Sequence, residues 1–461
     1  MKPSSSWIPN DDDEIISELL KEIGLEELFH LFKDIPKSLL LKRRLNVGLG
    51  KSLSEAEAYD YTVKTLKKNV VPRISFLGGG VWNHYVPAVV KEILSRGEFY
   101  TSYTPYQPEA SQGLSQALFE YQSMIAALTG MDVVNASMYD WSTALAEAVL
   151  MAVRVTRRKK VLIPQTMNPI HFKVLKTITE PKDVKPEKVS FDRTTGQINL
   201  TDLRKKLDSE TAAVYIENPS FLGFIEAQVD EIGSLTHEKD ALFIVGVEPL
   251  SLGILRPPGD YGADIVVGEG QPLGLGMNFG GPLLGIFAVK WDLKLIRQMP
   301  GRIFGVTRTV SGQDRGFIMV LQTREQHIRR ERATSNICTN EALCALAAAV
   351  YLSLLGPQGL RELAENILYK TNYLMRKINE VDGVEAPLFN AAHFKEFTVR
   401  FETKSVQDVN RKLLEKGIHG GLPLGNFMPE YQDAALYSVT EVLRKEDLDF
   451  FLRVLREIME G

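Results

Sequence analysis

Cysteine is nearly missing: the 461 residues hold two, Cys338 and Cys344. Six positions apart, they fit neither a CxxC redox pair nor a zinc knuckle, and both read as core positions of one helix. An excess of charge of one sign is missing too. Lys and Arg number 54 against 58 Asp and Glu, a formal net charge of -4. With no basic surplus to displace counterions from phosphates, a dedicated DNA or RNA binder is not expected. No stretch reaches the ~20 continuous apolar residues of a membrane span, and Met1 to Asn10 has no apolar segment behind a basic one. Cytoplasmic residence, away from any membrane, is the expectation. HExxH, GxxxxGK[ST] and GxSxG motifs are all absent, which removes zincins, P-loop hydrolases and α/β-hydrolases in their common forms. The seven histidines (His30, His84, His171, His237, His327, His393 and His419) form no i, i+4 pair, so no metal site is expected. The glycine run from Gly274 to Gly281 lacks the spacing of a dinucleotide loop.

What is present reads as an α/β protein. Acids at Asp11 to Asp13 precede the apolar pattern Ile15, Ile16, Leu19, Leu20, and Ser52-Leu53-Ser54-Glu55 has the shape of a capping box ahead of a helix from Ala56 to Lys68. Residues 1–71 are predicted to form a helical arm. Apolar runs at Lys160 to Pro164, Ala212 to Glu217, Ala241 to Val247, Asp264 to Val267 and Leu283 to Val289 then alternate with helical stretches at Ser142 to Val155, His171 to Ile178 and Leu200 to Leu207. That alternation predicts a mostly parallel, helix-covered sheet over 72–339. From Asn340 to Leu355 an Ala- and Leu-rich helix is expected, with Thr339 as its N-cap and Gly356-Pro357 ending it. Strands at Glu396 to Phe401 and Ala435 to Val439, alternating with helices at Val406 to Lys416 and Lys445 to Met459, complete a small α+β domain within 340–461.

Three segments carry candidate chemistry. Phe76-Leu77-Gly78-Gly79-Gly80 is a turn that lets backbone approach a neighbour closely. Tyr100 to Gly113, YTSYTPYQPEASQG, is a long polar-aromatic loop of the kind that is often functional. Leu321 to Asn336 packs four arginines into nine residues beside His327 and several hydroxyls, a composition able to bind phosphate or carboxylate. A solvated helix with local ion pairs through Glu325 and Glu331 is the plainer alternative.

LQTREQHIRRERATSNICT at 321–339, MPGRIFGVTR at 299–308, FLGGGVWNHYVP at 76–87 and YTPYQPEASQG at 103–113 together resemble the P-protein family of the glycine cleavage system. Within it they resemble the α-type, N-terminal-half subunits. The resemblance implies a pyridoxal-phosphate enzyme of fold type I, with a large sheet domain and a small C-terminal α+β domain. It implies a complex that takes glycine, releases carbon dioxide and passes the aminomethyl group to the lipoyl arm of the H-protein. Asn83 departs from the pattern where an acid is expected, which leaves any proton-transfer role there in doubt.

A pyridoxal enzyme needs a lysine for the Schiff base and an acid beside the ring nitrogen. The family's catalytic chains offer His-Lys-Thr after the strand that here ends in Gly268-Glu269-Gly270-Gln271-Pro272-Leu273, and no lysine lies between Lys239 and Lys290. The acid position falls at Glu248, where Pro249 predicts a different turn. The resemblance therefore implies that a homologous β-type partner holds the cofactor covalently, in an α2β2 assembly, and that this chain alone is inactive. Tyr103, Thr104 and Tyr106, with His327, Arg329 and Arg330, are the expected residues at the shared active site. Thr334, Ser335 and Asn336 are expected near the cofactor phosphate across the interface. Interface packing for the tyrosines, helix capping for Thr334 and Ser335 and intersubunit ion pairs for the arginines are the plainer readings. Two rival functions stay open: a structural scaffold, and a self-sufficient enzyme using Lys239, Lys290 or another lysine.

Overall fold

The structure is a computed structural model that describes residues 12–41, 43, 48–49, 52–337 and 340–461. Asp11, Cys338 and Thr339, and with them the expected cap of the long helix, lie outside the described residues. The chain divides into two units, one ending at Val70 and one running from Val71 to Gly461.

In the first unit, helix α1 (Asp13–Glu22) starts where the Asp12 carboxylate accepts a hydrogen bond from Glu14 N at 2.8 Å. Helix α2 (Glu55–Leu66) has its capping box two residues later than Ser52 and Glu55 would place it. Ser54 Oγ accepts from Glu57 N, and the Glu57 carboxylate accepts from Ser54 N at 2.9 Å. The S-x-x-E spacing recurs at Ser54 to Glu57, and this register also keeps Glu55 in the first turn, where negative charge suits the helix dipole. Leu20 is buried, whereas Leu19, Ile23, Leu28, Phe29 and Leu39 are exposed.

The second unit is built on a seven-stranded sheet of β1 (Val133–Val134), β2 (Lys160–Pro164), β3 (Lys185–Val189), β4 (Thr211–Glu217), β5 (Leu242–Val247), β6 (Ile265–Glu269) and β7 (Gly285–Val289). Their order is β1-β7-β6-β5-β4-β2-β3. The pairs among β6, β5, β4, β2 and β3 are parallel, and β7 is antiparallel to both β6 and β1. Alternate residues point to opposite faces, so Val214, Ile216, Phe243 and Val245 join one core while Ala213, Tyr215 and Ile244 join another. Helices α3 (Gln112–Thr129), α6 (Leu200–Lys206) and α7 (Val229–His237) cover the first face; α4 (Trp141–Thr156) and α5 (Pro169–Thr179) cover the second. Strands buried on both faces are what the continuous apolar runs require.

A hairpin of β8 (Ile303–Arg308) and β9 (Arg315–Val320) follows. Helix α8 (Ala342–Ile378) does not stop at Gly356. It breaks there, at φ 61°, and resumes with Pro357, because proline fits the first turn of a helix, where an N–H has no intrahelical partner. By length and composition α8 could cross a membrane, but half of its most apolar stretch is buried in the core. The C-terminal sheet is antiparallel, ordered β10-β11-β13-β12, from β10 (Val384–Glu385), β11 (Glu396–Phe401), β12 (Leu422–Pro423) and β13 (Ala434–Ser438). Helices α9 (Val406–Glu415) and α10 (Lys445–Glu460) bury their apolar faces, including Val409, Leu413, Phe451 and Leu455, in its core.

Candidate functional site

In open α/β sheets ligands bind beyond the carboxyl ends of the parallel strands. Here those ends carry three buried carboxylates, Glu217 closing β4, Glu248 just past β5 and Glu269 closing β6. Each is already engaged. Glu217 accepts from Asn168 N at 3.1 Å and from Tyr215 OH at 3.2 Å, and lies 3.3 Å from His171 Nδ1. Glu248 accepts from Ser251 N at 2.9 Å and pairs with Lys395 Nζ at 2.9 Å. Lys395 stands one residue before β11 and its side chain is 2% exposed. Its ammonium lies 3.7 Å from the centre of the Trp82 ring and donates to His84 Nε2 at 3.1 Å. With Nε2 accepting, the His84 proton sits on Nδ1, which donates to Glu441 at 2.7 Å. Burial holds the His84 and Lys395 pKa values down. The remaining space in this cleft, between Gly79, Trp82, Trp141, His171 and Lys395, is about 20 Å³, room for about one water.

Glu269 accepts from Gln271 N and Leu284 N at 3.0 Å and from Trp141 N at 3.2 Å. Burial pushes its pKa from 4.5 up to about 8, against those three N–H groups, which work the other way. The folded chain therefore holds a proton there that the unfolded chain releases, and the contribution of this group to stability falls as pH rises from about 4.5 to about 8. Glu396, pushed by burial to about 7, acts in the same direction. Glu269→Gln should flatten this slope, even though its amide nitrogen cannot accept from Trp141 N and lowers the overall level. Urea midpoints of both proteins across that range check this; parallel slopes would contradict it.

A second cluster joins distant parts of the chain. Arg302, 2% exposed, donates to Thr104 Oγ1 at 3.2 Å and to Tyr106 OH at 2.7 Å, with its guanidinium 5.2 Å from the Tyr106 ring centre. Its Nε lies 3.4 Å from the Glu325 carboxylate, and His327 Nδ1 lies 3.7 Å from the same group. The His327 ring in turn meets the Tyr106 ring edge-on at 5.4 Å. Arg324, buried and with its pKa lowered by that burial to about 10, donates to the Met299 and Gly301 carbonyls.

The structure thus brings Thr104, Tyr106 and His327 together. Tyr103 is exposed on the same loop, and Arg329 and Arg330 are exposed beyond His327. Leu321 and Arg330 bracket this segment with φ of 55° and 53°, left-handed conformations that cost about 1–3 kcal/mol each and concentrate at functional segments. Thr334 N donates to Arg324 O at 3.0 Å, and Ser335 Oγ accepts from Ile337 N at 3.0 Å, while Asn336 is exposed. Arg302 and Lys395 were not singled out by sequence. The signal for Arg302 is a lone arginine against the apolar run Ile303-Phe304; Lys395 has none. Among the described residues no cluster of three or more His, Cys, Asp or Glu could hold a metal.

The sequence profile described as glycine cleavage system P-protein matches residues 5–455. The chain belongs to the P-protein family. It is 52% identical, over 99% of its length and 98% of the relative's, to a probable glycine dehydrogenase (decarboxylating) subunit 1 of Staphylothermus marinus. It is 51% identical to the protein of the same description in Aeropyrum pernix, over 99% of each chain. A crystal structure of glycine decarboxylase (P-protein) in inhibitor-bound form superimposes with a TM-score of 0.87 at 42% identity, covering 98% of this chain and all of that one. A NifS-like protein, at 16% identity and TM-score 0.63 over 84% of this chain, shares the fold. That fold is fold type I of the pyridoxal-phosphate enzymes.

The cleft of this P-protein chain does not fit the cofactor. No lysine follows β6, where Gln271 fills the turn by donating to Trp82 O and Leu275 O. Lys395, the lysine in the cleft, is committed to Glu248, His84 and Trp82. Lys239 precedes β5 and Lys290 follows the antiparallel β7, which puts both beyond the amino ends of the parallel strands, opposite the cleft; Lys290 pairs there with Asp264, ahead of β6.

Proposed function

We propose that this chain is the α-type subunit of a two-chain glycine decarboxylase, whose homologous β-type partner carries pyridoxal phosphate on its own lysine. The reaction takes glycine, releases carbon dioxide and transfers the aminomethyl group to the lipoyl arm of the H-protein, in a cytoplasmic α2β2 assembly. The observation that carries this reading is the occupied cleft: Lys395, Trp82 and His84 stand at the strand ends, and the chain has no lysine where its own cofactor would attach. The cofactor, when bound to the partner, supplies the electron sink for decarboxylation.

The part left to this chain is to bind and orient. Tyr106 and His327 are exposed at the surface of an ordered cluster, with Thr104 half-buried beside them, and Tyr103, Arg329 and Arg330 are exposed on the same two segments. Across the interface they would hold glycine and exclude water, with Thr334, Ser335 and Asn336 offering hydroxyl and amide donors toward the cofactor phosphate.

Glycine-dependent release of carbon dioxide in the presence of lipoylated H-protein should require both chains, with neither alone active. Thr334→Ala together with Ser335→Ala should weaken cofactor retention by the assembled complex. Unchanged activity and retention would remove the phosphate role. A fully active complex lacking all the outward-facing groups would leave this chain as a scaffold.

A further inference from the structure

The cluster around Arg302 is a closed circuit. Arg302 forks onto Thr104 and Tyr106; the Tyr106 ring meets His327; His327 and Arg302 both face the Glu325 carboxylate. It ties the 101–106 loop to the 324–330 segment. Neither segment has regular structure enough to hold its own shape: the loop is irregular from Ser102 to Gln107, and the other segment is two short helical turns, Gln322–Arg324 and Gln326–Arg329, between two residues of positive φ. What holds them is the Pro300 to Arg302 stretch leading into β8. Arg302 O accepts from Ala136 N at 2.7 Å, Pro300 O accepts from Asn135 Nδ2 at 3.1 Å and Gly301 O accepts from Arg324 Nη2 at 3.1 Å. The arginine is thus anchored at its backbone before its side chain reaches the loop.

We infer that Arg302 is a positioning residue for the glycine decarboxylase reaction: its forked guanidinium, set by Glu325, presents Thr104, Tyr106 and His327 as one rigid face to the site they share with the partner. This rests on the proposal that the face completes the partner's site. At 2% exposure Arg302 cannot touch glycine or cofactor, so its effect passes through Tyr106, which is 42% exposed. A guanidinium suits the task because it is planar, permanently charged and able to donate to two oxygens while pairing with a third group. An ammonium is a single point charge and cannot span them.

The test uses the assembled two-chain enzyme with its cofactor and measures glycine-dependent carbon dioxide release. Arg302→Lys keeps the charge against Glu325 but loses the fork. We expect kcat/KM for glycine to fall about tenfold or more, as misplacement of oriented groups does, with assembly and melting temperature close to those of the parent. Thr104→Val with Tyr106→Phe should lower kcat/KM alone, and should add nothing on top of Arg302→Lys, because both changes break one link. Glu325→Gln, which keeps the shape and removes the charge, provides a second variant should Arg302→Lys fail to assemble; its expected loss is smaller and is likewise absorbed by the loop double variant. Losses that multiply, or full activity of Arg302→Lys, overturn the positioning role alone. Unchanged activity of the Thr104→Val, Tyr106→Phe variant overturns both this role and the shared-site reading. A purely structural role would lower melting temperature and assembly and leave the kcat/KM of the assembled enzyme untouched.

Discussion

Lys395→Met is expected to destabilise the folded chain by about 3–5 kcal/mol, because it strands a buried carboxylate. Methionine keeps an unbranched stem out to Cε, one atom short of the ammonium, so lost packing is a small part of the effect. Glu248 would keep its bonds from Leu250 N and Ser251 N but lose the cation that neutralises it. His84 Nε2 would lose its donor in the same step. Replacing both ions has a different expected outcome: Lys395→Met with Glu248→Gln removes the unpaired charge and should recover most of the loss, as exchange of a buried pair for neutral groups often does. Urea denaturation of the four proteins gives the coupling energy directly. Additive losses would mean that the pair does not hold the C-terminal sheet to the strand ends.

Gly223→Ala should be comparably damaging, for steric reasons. Its φ is +96°, and an added Cβ would lie 2.2 Å from Glu396 O and 2.4 Å from Glu396 C, contacts that backbone cannot yield without moving β11. The turn carrying Gly223 is docked on that strand, with Leu222 O accepting from Thr398 Oγ1 at 3.1 Å. Left-handed strain adds about 1–3 kcal/mol. Gly312 is the control: it too has a positive φ, +72°, but nothing lies within 4 Å of the place an added Cβ would occupy. Gly312→Ala should therefore cost only the backbone strain, and thermal melts should separate the two variants clearly. Equal shifts would show that the close approach at Glu396 relaxes freely.

Apolar patterning made the central sheet legible. The strand at Lys160 to Pro164 falls where the sequence places it, and those ending at Glu217 and Val247 start one residue away from their expected positions. The edge strand β3, Lys-Pro-Glu-Lys-Val, was not legible, because an edge need not be apolar on both faces. The β8–β9 hairpin was missed for a related reason, since its tip, Thr309 to Asp314, is exposed and mostly polar. At the site, the Tyr100 to Gly113 loop and the arginine-rich segment stood out by composition. Their mutual contact through Arg302 did not, because patterning treats a charged residue as solvent-facing. Lys395 was hidden likewise: Glu248 was legible as an acid at the end of its strand, but its pairing with a buried lysine contradicts binary patterning, and only the fold brings the two together.

The most direct measurement is borohydride trapping of pyridoxal phosphate on the purified two-chain complex and on this chain alone, followed by peptide mapping. A lysine adduct confined to the partner, with no labelled peptide from this chain, is the expected result. An adduct on any lysine of this chain, Lys395 above all, would contradict the proposal that its own cleft is closed to the cofactor.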